Sequence, residues 1–292
     1  MSAIANRPVL PALMIEDAVK AALLEDWGRA GDITAQATLG PDLTARAVIA
    51  ARQPGVLAGL EIAATAFRLS DPAIAVEPVL SDGDAVAPGN VALRVEGPAR
   101  AVLSAERVAL NFLGHLSGVA TATQAFASRI AHTKTRVVCT RKTTPGLRAF
   151  EKYAVRCGGG ANHRFGLDDA ILIKDNHIAV SGGVRAAIEA ARAFAGHLVK
   201  VEVEVDTLGQ LREALDAGPD VVMLDNMAPD TLREAVEIAG GRVLLEASGG
   251  VTLDTVAAIA ETGVDLVSVG WITHSAPVLD LGLDIALDGL PG

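Results

Sequence analysis

In the second half of the chain, six short apolar runs each lead into residues able to do chemistry. RVVCT, closing at Thr140, runs into Arg141-Lys142, and AILI, closing at Ile173, runs into Lys174-Asp175-Asn176-His177. VKVEVEV carries Glu202 and Glu204, and DVVML is followed by Asp225-Asn226. RVLLEA holds Glu246 and opens into Ser248-Gly249-Gly250, while DLVSV opens into Gly270. Guanidinium and ammonium groups hold anions, and carboxylates hold divalent cations or stabilise developing positive charge. Glycines let backbone N–H groups approach phosphate oxygens. Together these groups describe a site for a small, phosphorylated, anionic ligand.

Charge is sorted along the chain in the same sense. From Arg136 to Lys174 there are eight Lys/Arg against three acids, in a protein of net charge −10. A basic pocket in an acidic protein suits a small anion and argues against nucleic-acid or membrane-surface binding. Arg148, Lys152 and Arg156, at spacing four, read as one solvated helix face. Arg141, Lys142, Arg164 and Lys174 abut strand ends or the glycine run GGGANHR, so they are the candidates for gripping a ligand.

Glu204 and Asp225, on consecutive strands, are candidates to share a Mg²⁺ that also binds ligand phosphates. Glu202 shares a strand face with Glu204 and reads as a buried partner for a basic residue. Ser248-Gly249-Gly250, ahead of a helix expected near Thr252, forms one phosphate loop, and Gly270 with Thr273 to Ser275 the other. Cys139 and Cys157 read as structural, and His115 and His132 as packing or surface residues.

Positioning such groups requires parallel strands connected by helices. Half the residues are hydrophobic and only 3% are aromatic, a composition suited to buried parallel strands. The later runs alternate with amphipathic helices closed by glycine, the pattern of βαβ units. Six strands are fewer than a full barrel needs, so an incomplete barrel and an open doubly wound sheet both remain open. Upstream, IEDAVKAALLEDWG places Ile15, Val19, Ala22, Leu23 and Trp27 on one helical face ended by Gly28. Short β-branched runs broken by Pro-Gly and Asp-Gly turns then predict a small sheet. A long helix comes next, with Ser104 as its expected N-cap, bridging two domains. With two cysteines and no basic-then-apolar leader, the expected setting is cytoplasmic.

ERVALNFLGHLSGVAT, TRKTTPGLRAFEKYAVRCGGGANHRFGLDDAILIKDNH, VEVEV, MLDNM, LEASGGV and SVGWITHSAPVLDLGLD, in this order, resemble the quinolinate phosphoribosyltransferase family, the decarboxylating nicotinate-nucleotide pyrophosphorylases. The resemblance implies an N-terminal α/β sandwich over an incomplete, about six-stranded parallel α/β barrel. It divides the chain into 1–116 and 117–276, with the tail 277–292 joining the first part. It implies phosphoribosyl transfer from 5-phosphoribosyl-1-pyrophosphate to quinolinate with loss of CO2, assisted by Mg²⁺, in a head-to-tail homodimer. By motif, Arg107 resembles an arginine donated across the dimer interface. Arg141, Lys142, His163, Arg164 and Lys174 resemble the quinolinate-binding set, with Lys142, Lys174, Glu204 and Asp225 in the chemistry. Glu204 and Asp225 resemble the metal and ribose carboxylates, and Ser248, Gly249, Gly250, Gly270 and His274 the phosphate-holding loops. The rivals are a paralogue with another substrate, a barrel lyase with Lys142 or Lys174 as a Schiff base, and a non-catalytic ligand sensor.

Overall fold

Ile15, Val19 and Leu23 recur at helical spacing, and they are the buried residues of helix α1 (Ala12–Trp27), which Gly28 ends at φ 57°. This is a computed structural model, and it describes residues 9–286; the chain start and the end of the 277–292 tail lie outside the described residues. The chain divides into two units, the first running up to Ala122 with Ala149–Gly159 and the residues from Ala276, the second Thr123–Arg148 with Gly160–Ser275.

In the first unit Asp32 caps helix α2 (Ile33–Thr38) by accepting the Ala35 N–H at 2.9 Å. Strand β1 (Thr44–Ala51) and the short β2 (Gly55–Val56) lead to helix α3 (Leu60–Ser70), whose buried face runs from Leu60 to Phe67. Strands β3 (Ala75–Pro78), β4 (Ala85–Val86) and β5 (Val91–Pro98) come after it. Alternating burial along β5 gives its sheet one packed and one solvated face.

Helix α4 (Ala99–Arg129) begins upstream of Ser104, which is therefore not its N-cap. Pro98 ends β5 immediately before the first turn, and the helix-forming Ala-Arg-Ala beyond it continues into the helix. The Ser104 hydroxyl instead bonds back to the Arg100 carbonyl at 2.7 Å.

The second unit opens with strand β6 (Arg136–Val138). Helix α5 (Arg148–Cys157) returns to the first unit and corrects the reading of a solvated basic face: Lys152 and Glu151 are fully buried. The helix is surrounded by protein there, with Glu151 2.9 Å from His115, Tyr153 donating to Asp82 at 2.6 Å and Phe150 against Phe112.

Beyond it come β7 (Ile171–Ile173), α6 (Asp175–Ser181), α7 (Val184–Phe194) and β8 (Val201–Val205). The alternation continues through α8 (Leu208–Ala217), β9 (Val221–Asp225), α9 (Pro229–Ala239) and β10 (Leu244–Ser248). Helix α10 (Val256–Ala260), β11 (Leu266–Ser268) and α11 (Trp271–His274) complete this unit, and β12 (Leu281–Ala286) belongs to the first.

The six expected parallel strands form one sheet in the order β6-β11-β10-β9-β8-β7, an incomplete barrel wall. The antiparallel sheet of the first unit runs β12-β1-β5-β3. Along β8, Val201, Val203 and Val205 are buried on one face while Glu202 and Glu204 share the other. Thr207 and Gln210 form a capping box at the start of α8, and Gly218 and Gly240 end α8 and α9 in left-handed backbone. The Thr207 box starts α8 just beyond β8 and so helps fix Glu204 at the carboxyl end of that strand.

Candidate active site

The carboxyl ends of the parallel strands enclose a cavity of about 790 Å³, within the range of small-ligand sites. Its lining brings together Arg141, Lys142, His163, Arg164, Lys174, Glu204, Asp225, Ser248, Gly249, Gly250, Gly270 and His274. Of the candidate site residues only Arg107 stands elsewhere, exposed on α4. The cavity also presents Met223, Glu246 and Asn226.

Each side chain has a local reason for its place. After β6 the chain turns so that the Lys142 N–H reaches the Thr140 hydroxyl at 3.0 Å, and the Thr273 hydroxyl of α11 holds the Lys142 carbonyl at 2.8 Å. The glycine run does not line the cavity. Gly158 and Gly159 close α5, their N–H groups bonding to Ala154 and Arg156 carbonyls, with Gly159 at φ 86°. Ala161 then bridges Val138, extending the wall beside β6 and delivering His163 and Arg164. Asp169 folds the next loop by accepting the Phe165 and Gly166 N–H groups, and Arg164 donates to the Ala170 carbonyl at 3.1 Å.

The expected phosphate loop differs in one respect. Helix α10 starts at Val256, not near Thr252, because Thr252 and Thr255 spend the intervening residues in a hydroxyl-bonded turn. The glycines of the loop are nevertheless constrained. Gly249 lies at φ 95°, and a Cβ there would collide with Asn226 Oδ1 and meet its backbone nitrogen at 3.0 Å. Asn226 itself holds a left-handed φ of 52°, donating its N–H to the Ser248 carbonyl and its amide to Asp225 at 2.6 Å. The sequence places Asn226 at a strand end but assigns it no role; its contacts show that it props the Gly249 loop and the Asp225 carboxylate.

Two arginines crowd one side of the cavity. Arg164 is pushed below the usual arginine value, by burial first and then by the charge of Arg141. The Nε atoms of both are buried without a hydrogen-bond partner. Such an arrangement suits an anion that accepts from both.

Carboxylates occupy two depths. Nearer the rim, Glu204 accepts from Lys174 at 2.8 Å, with Lys174 half exposed. Register places Glu202 opposite Val221 and Glu204 opposite Met223, so Glu202 lies one step deeper. Glu246, opposite Met223 and two residues before Ser248, is 2% exposed. His163 Nε2 stands 2.8 Å from Glu202 and 3.9 Å from Glu246, which makes Glu202 the basic-residue partner its position suggested. Burial, and then the neighbouring Glu202 charge, lift the Glu246 carboxyl well above the ordinary range.

Comparison with known proteins agrees with this geometry. The family models described as quinolinate phosphoribosyl transferase, N-terminal domain and C-terminal domain, match residues 32–117 and 119–284. A probable nicotinate-nucleotide pyrophosphorylase [carboxylating] of Bacillus subtilis is 46% identical, over 90% of this chain and 91% of its own. The nicotinate-nucleotide pyrophosphorylase [carboxylating] of Mycobacterium leprae is 43% identical, over 92% and 96%. Among solved structures, NadC from Streptococcus pyogenes superposes with a TM-score of 0.93 at 42% identity, covering 96% of this chain and 99% of that one. With both domains matched in order and the fold shared throughout, the chain belongs to the quinolinate phosphoribosyl transferase family.

Proposed function

We propose that this enzyme transfers the phosphoribosyl group of 5-phosphoribosyl-1-pyrophosphate to the ring nitrogen of quinolinate and releases pyrophosphate, CO2 and nicotinate mononucleotide, a step of NAD synthesis. The observation that carries this reading is the pair Arg141 and Arg164, crowded together with buried, unsatisfied Nε atoms on the wall of the cavity. Quinolinate has adjacent carboxylates on a flat ring, which planar guanidiniums bind in bidentate fashion. The relatives' names supply the rest of the reaction.

The chemistry follows from the strand ends. A bond forms between the ring nitrogen and the anomeric carbon while the bond from that carbon to pyrophosphate breaks. Positive charge grows on the sugar and negative charge on the leaving group. Glu204 and Asp225, on neighbouring strands, face the sugar, while Lys142 and the Ser248–Gly250 and Gly270–His274 turns hold phosphates. Holding both reactants in one cavity supplies the proximity term. The quaternised nitrogen then draws the electrons of the neighbouring carboxylate bond, and CO2 departs. No covalent nucleophile is required, and the ion pair of Lys174 with Glu204 supports a charge-neutralising role over a Schiff base.

The donor set fits Mg²⁺: Glu204 and Asp225 offer hard carboxylate oxygens, and an ion needing few protein ligands can complete its shell with water and pyrophosphate. Bound there, Mg²⁺ would neutralise the leaving group. Arg107 is exposed on α4 of the first unit, available to a homodimer in which Arg107 of the partner subunit completes the site. No helix among the described residues is long and apolar enough to cross a membrane. The cytoplasm is the proposed setting.

The test is to mix the protein with Mg²⁺, phosphoribosyl pyrophosphate and carboxyl-labelled quinolinate. Equal amounts of pyrophosphate, labelled CO2 and nicotinate mononucleotide are expected, and none if either substrate is omitted. Quinolinate left unconsumed would overturn the reading.

A further inference from the structure

Losing CO2 leaves an electron pair on the ring carbon beside the quaternised nitrogen, and that carbon must take up a proton. Few groups on the cavity wall qualify as its donor. Guanidiniums hold their protons too tightly. The Lys174 ammonium is engaged by Glu204 at 2.8 Å. His163 is committed to Glu202: its Nδ1 accepts the Arg164 N–H at 2.7 Å, so the proton sits on Nε2, 2.8 Å from the Glu202 carboxylate. Lys142 and His274 are assigned above to the phosphates, which leaves Glu246, lining the cavity, 2% exposed, with its Oε1 lacking a hydrogen-bond partner.

Depth favours Glu246 as well. It precedes Ser248 by two residues on β10 and shares its face, so a ring joined to a sugar phosphate held at Ser248–Gly250 extends down toward Glu246. We propose that the Glu246 carboxyl supplies the proton that takes the place of the departing CO2, with Glu202 and His163 as its positioning residues. This rests on the reaction proposed above. In the step, the carbon–carboxylate bond breaks and CO2 leaves without the electron pair. The pair takes the Glu246 proton, and Glu246 is left as a carboxylate. Two buried carboxylates then face each other, and repulsion from Glu202 drives Glu246 to recover a proton from water when product leaves.

The surroundings of Glu246 suit a stored proton. Glu202 faces it from β8 and His163 from the segment after α5, while β9 presents the uncharged Met223 and β11 the Ser268 hydroxyl. Burial and the Glu202 charge raise its titration, and His163 opposes them. The His163, Glu202 and Glu246 ligand atoms lie within 4.8 Å of one another, a spacing that would also admit a metal ion. The His163 tautomer argues otherwise: a metal needs the Nε2 lone pair and a ring N–H on the far side, where this ring meets an N–H donor instead.

A single turnover of Glu246→Gln, with carboxyl-labelled quinolinate and pyrophosphatase present to prevent reversal, separates the two steps. Pyrophosphate should still form, while CO2 release falls by about 100-fold or more, the usual worth of a positioned acid. A quaternised nucleotide retaining both carboxylates should accumulate. Loss of both steps together, unchanged CO2 release, or loss of CO2 release alone in Lys142→Met would overturn the assignment. Should the variant fail to fold, wild-type CO2 release must slow as pH rises through the Glu246 titration with transfer unaffected; a flat profile overturns the proposal. Wild type that releases no CO2 would refute the function itself, whereas an unimpaired Glu246→Gln refutes only the donor.

Discussion

Glu202 and Glu204 stand two residues apart on one strand and one face, and their surroundings differ completely. Glu204 is near the rim, where the half-exposed Lys174 ammonium offsets its charge. Glu202 is a step deeper, with one oxygen against the His163 ring and the other without a hydrogen-bond partner. Across the sheet the contrast repeats on β10, between buried Glu246 and the accessible Ser248 turn. Surroundings thus divide labour, since Glu246 stands level in the register with Glu204, both opposite Met223, and yet is buried. Glu204, Asp225 and the Ser248 turn are placed to meet phosphate, sugar and cation, while burial and the Glu202 charge raise the Glu246 carboxyl.

The largest effect is expected where the two levels meet. Replacing Arg164 by Ala removes a guanidinium that faces both Arg141 and Glu202. Quinolinate binding should weaken by about thirtyfold or more, corresponding to at least about 2 kcal/mol for a truncated, half-buried charge partner. Phosphoribosyl pyrophosphate binding should hardly change. Calorimetry showing equal loss for both ligands would erase the distinction between rim and floor.

A smaller effect confined to the rim is expected from Gly249→Ala. The φ of 95° is strained for alanine, and the added carbon collides with Asn226. A cost of about 1 kcal/mol, the low end for one strained residue, should appear in phosphoribosyl pyrophosphate affinity. Quinolinate binding measured alone should be preserved; its loss would show that the two levels are not separable.

Much of the site is legible in sequence because a parallel sheet places the residues just after each apolar run at its carboxyl edge, where ligands bind. Arg141, Lys174, Asp225 and Ser248 are readable as strand-end residues without knowing any partner. Depth is less legible. Alternation puts Glu202 and Glu204 on one face, but only the register with β9 and the arrival of His163 from beyond α5 determine which of them is buried. Helix α5 is a plainer case. Arg148, Lys152 and Arg156 have the spacing of a solvated stripe, and spacing carries no information about the elements packed on it, so a fully buried Lys152 is invisible there. Likewise Ser104 has the side chain of a cap, and only the helix-forming residues upstream reveal that the helix starts earlier.

Infrared spectroscopy of the carboxyl C=O stretch tests most directly whether the floor holds a proton that the rim does not. Glu246 titrates far above its unfolded value, at about 7, so its acid form is complete at lower pH and is lost as pH rises through that value. A buried carboxylic-acid band is expected in wild type just below that pH, absent from Glu246→Gln and retained in Glu204→Gln. A wild-type protein without the band, or a band that survives Glu246→Gln, would contradict a protonated floor.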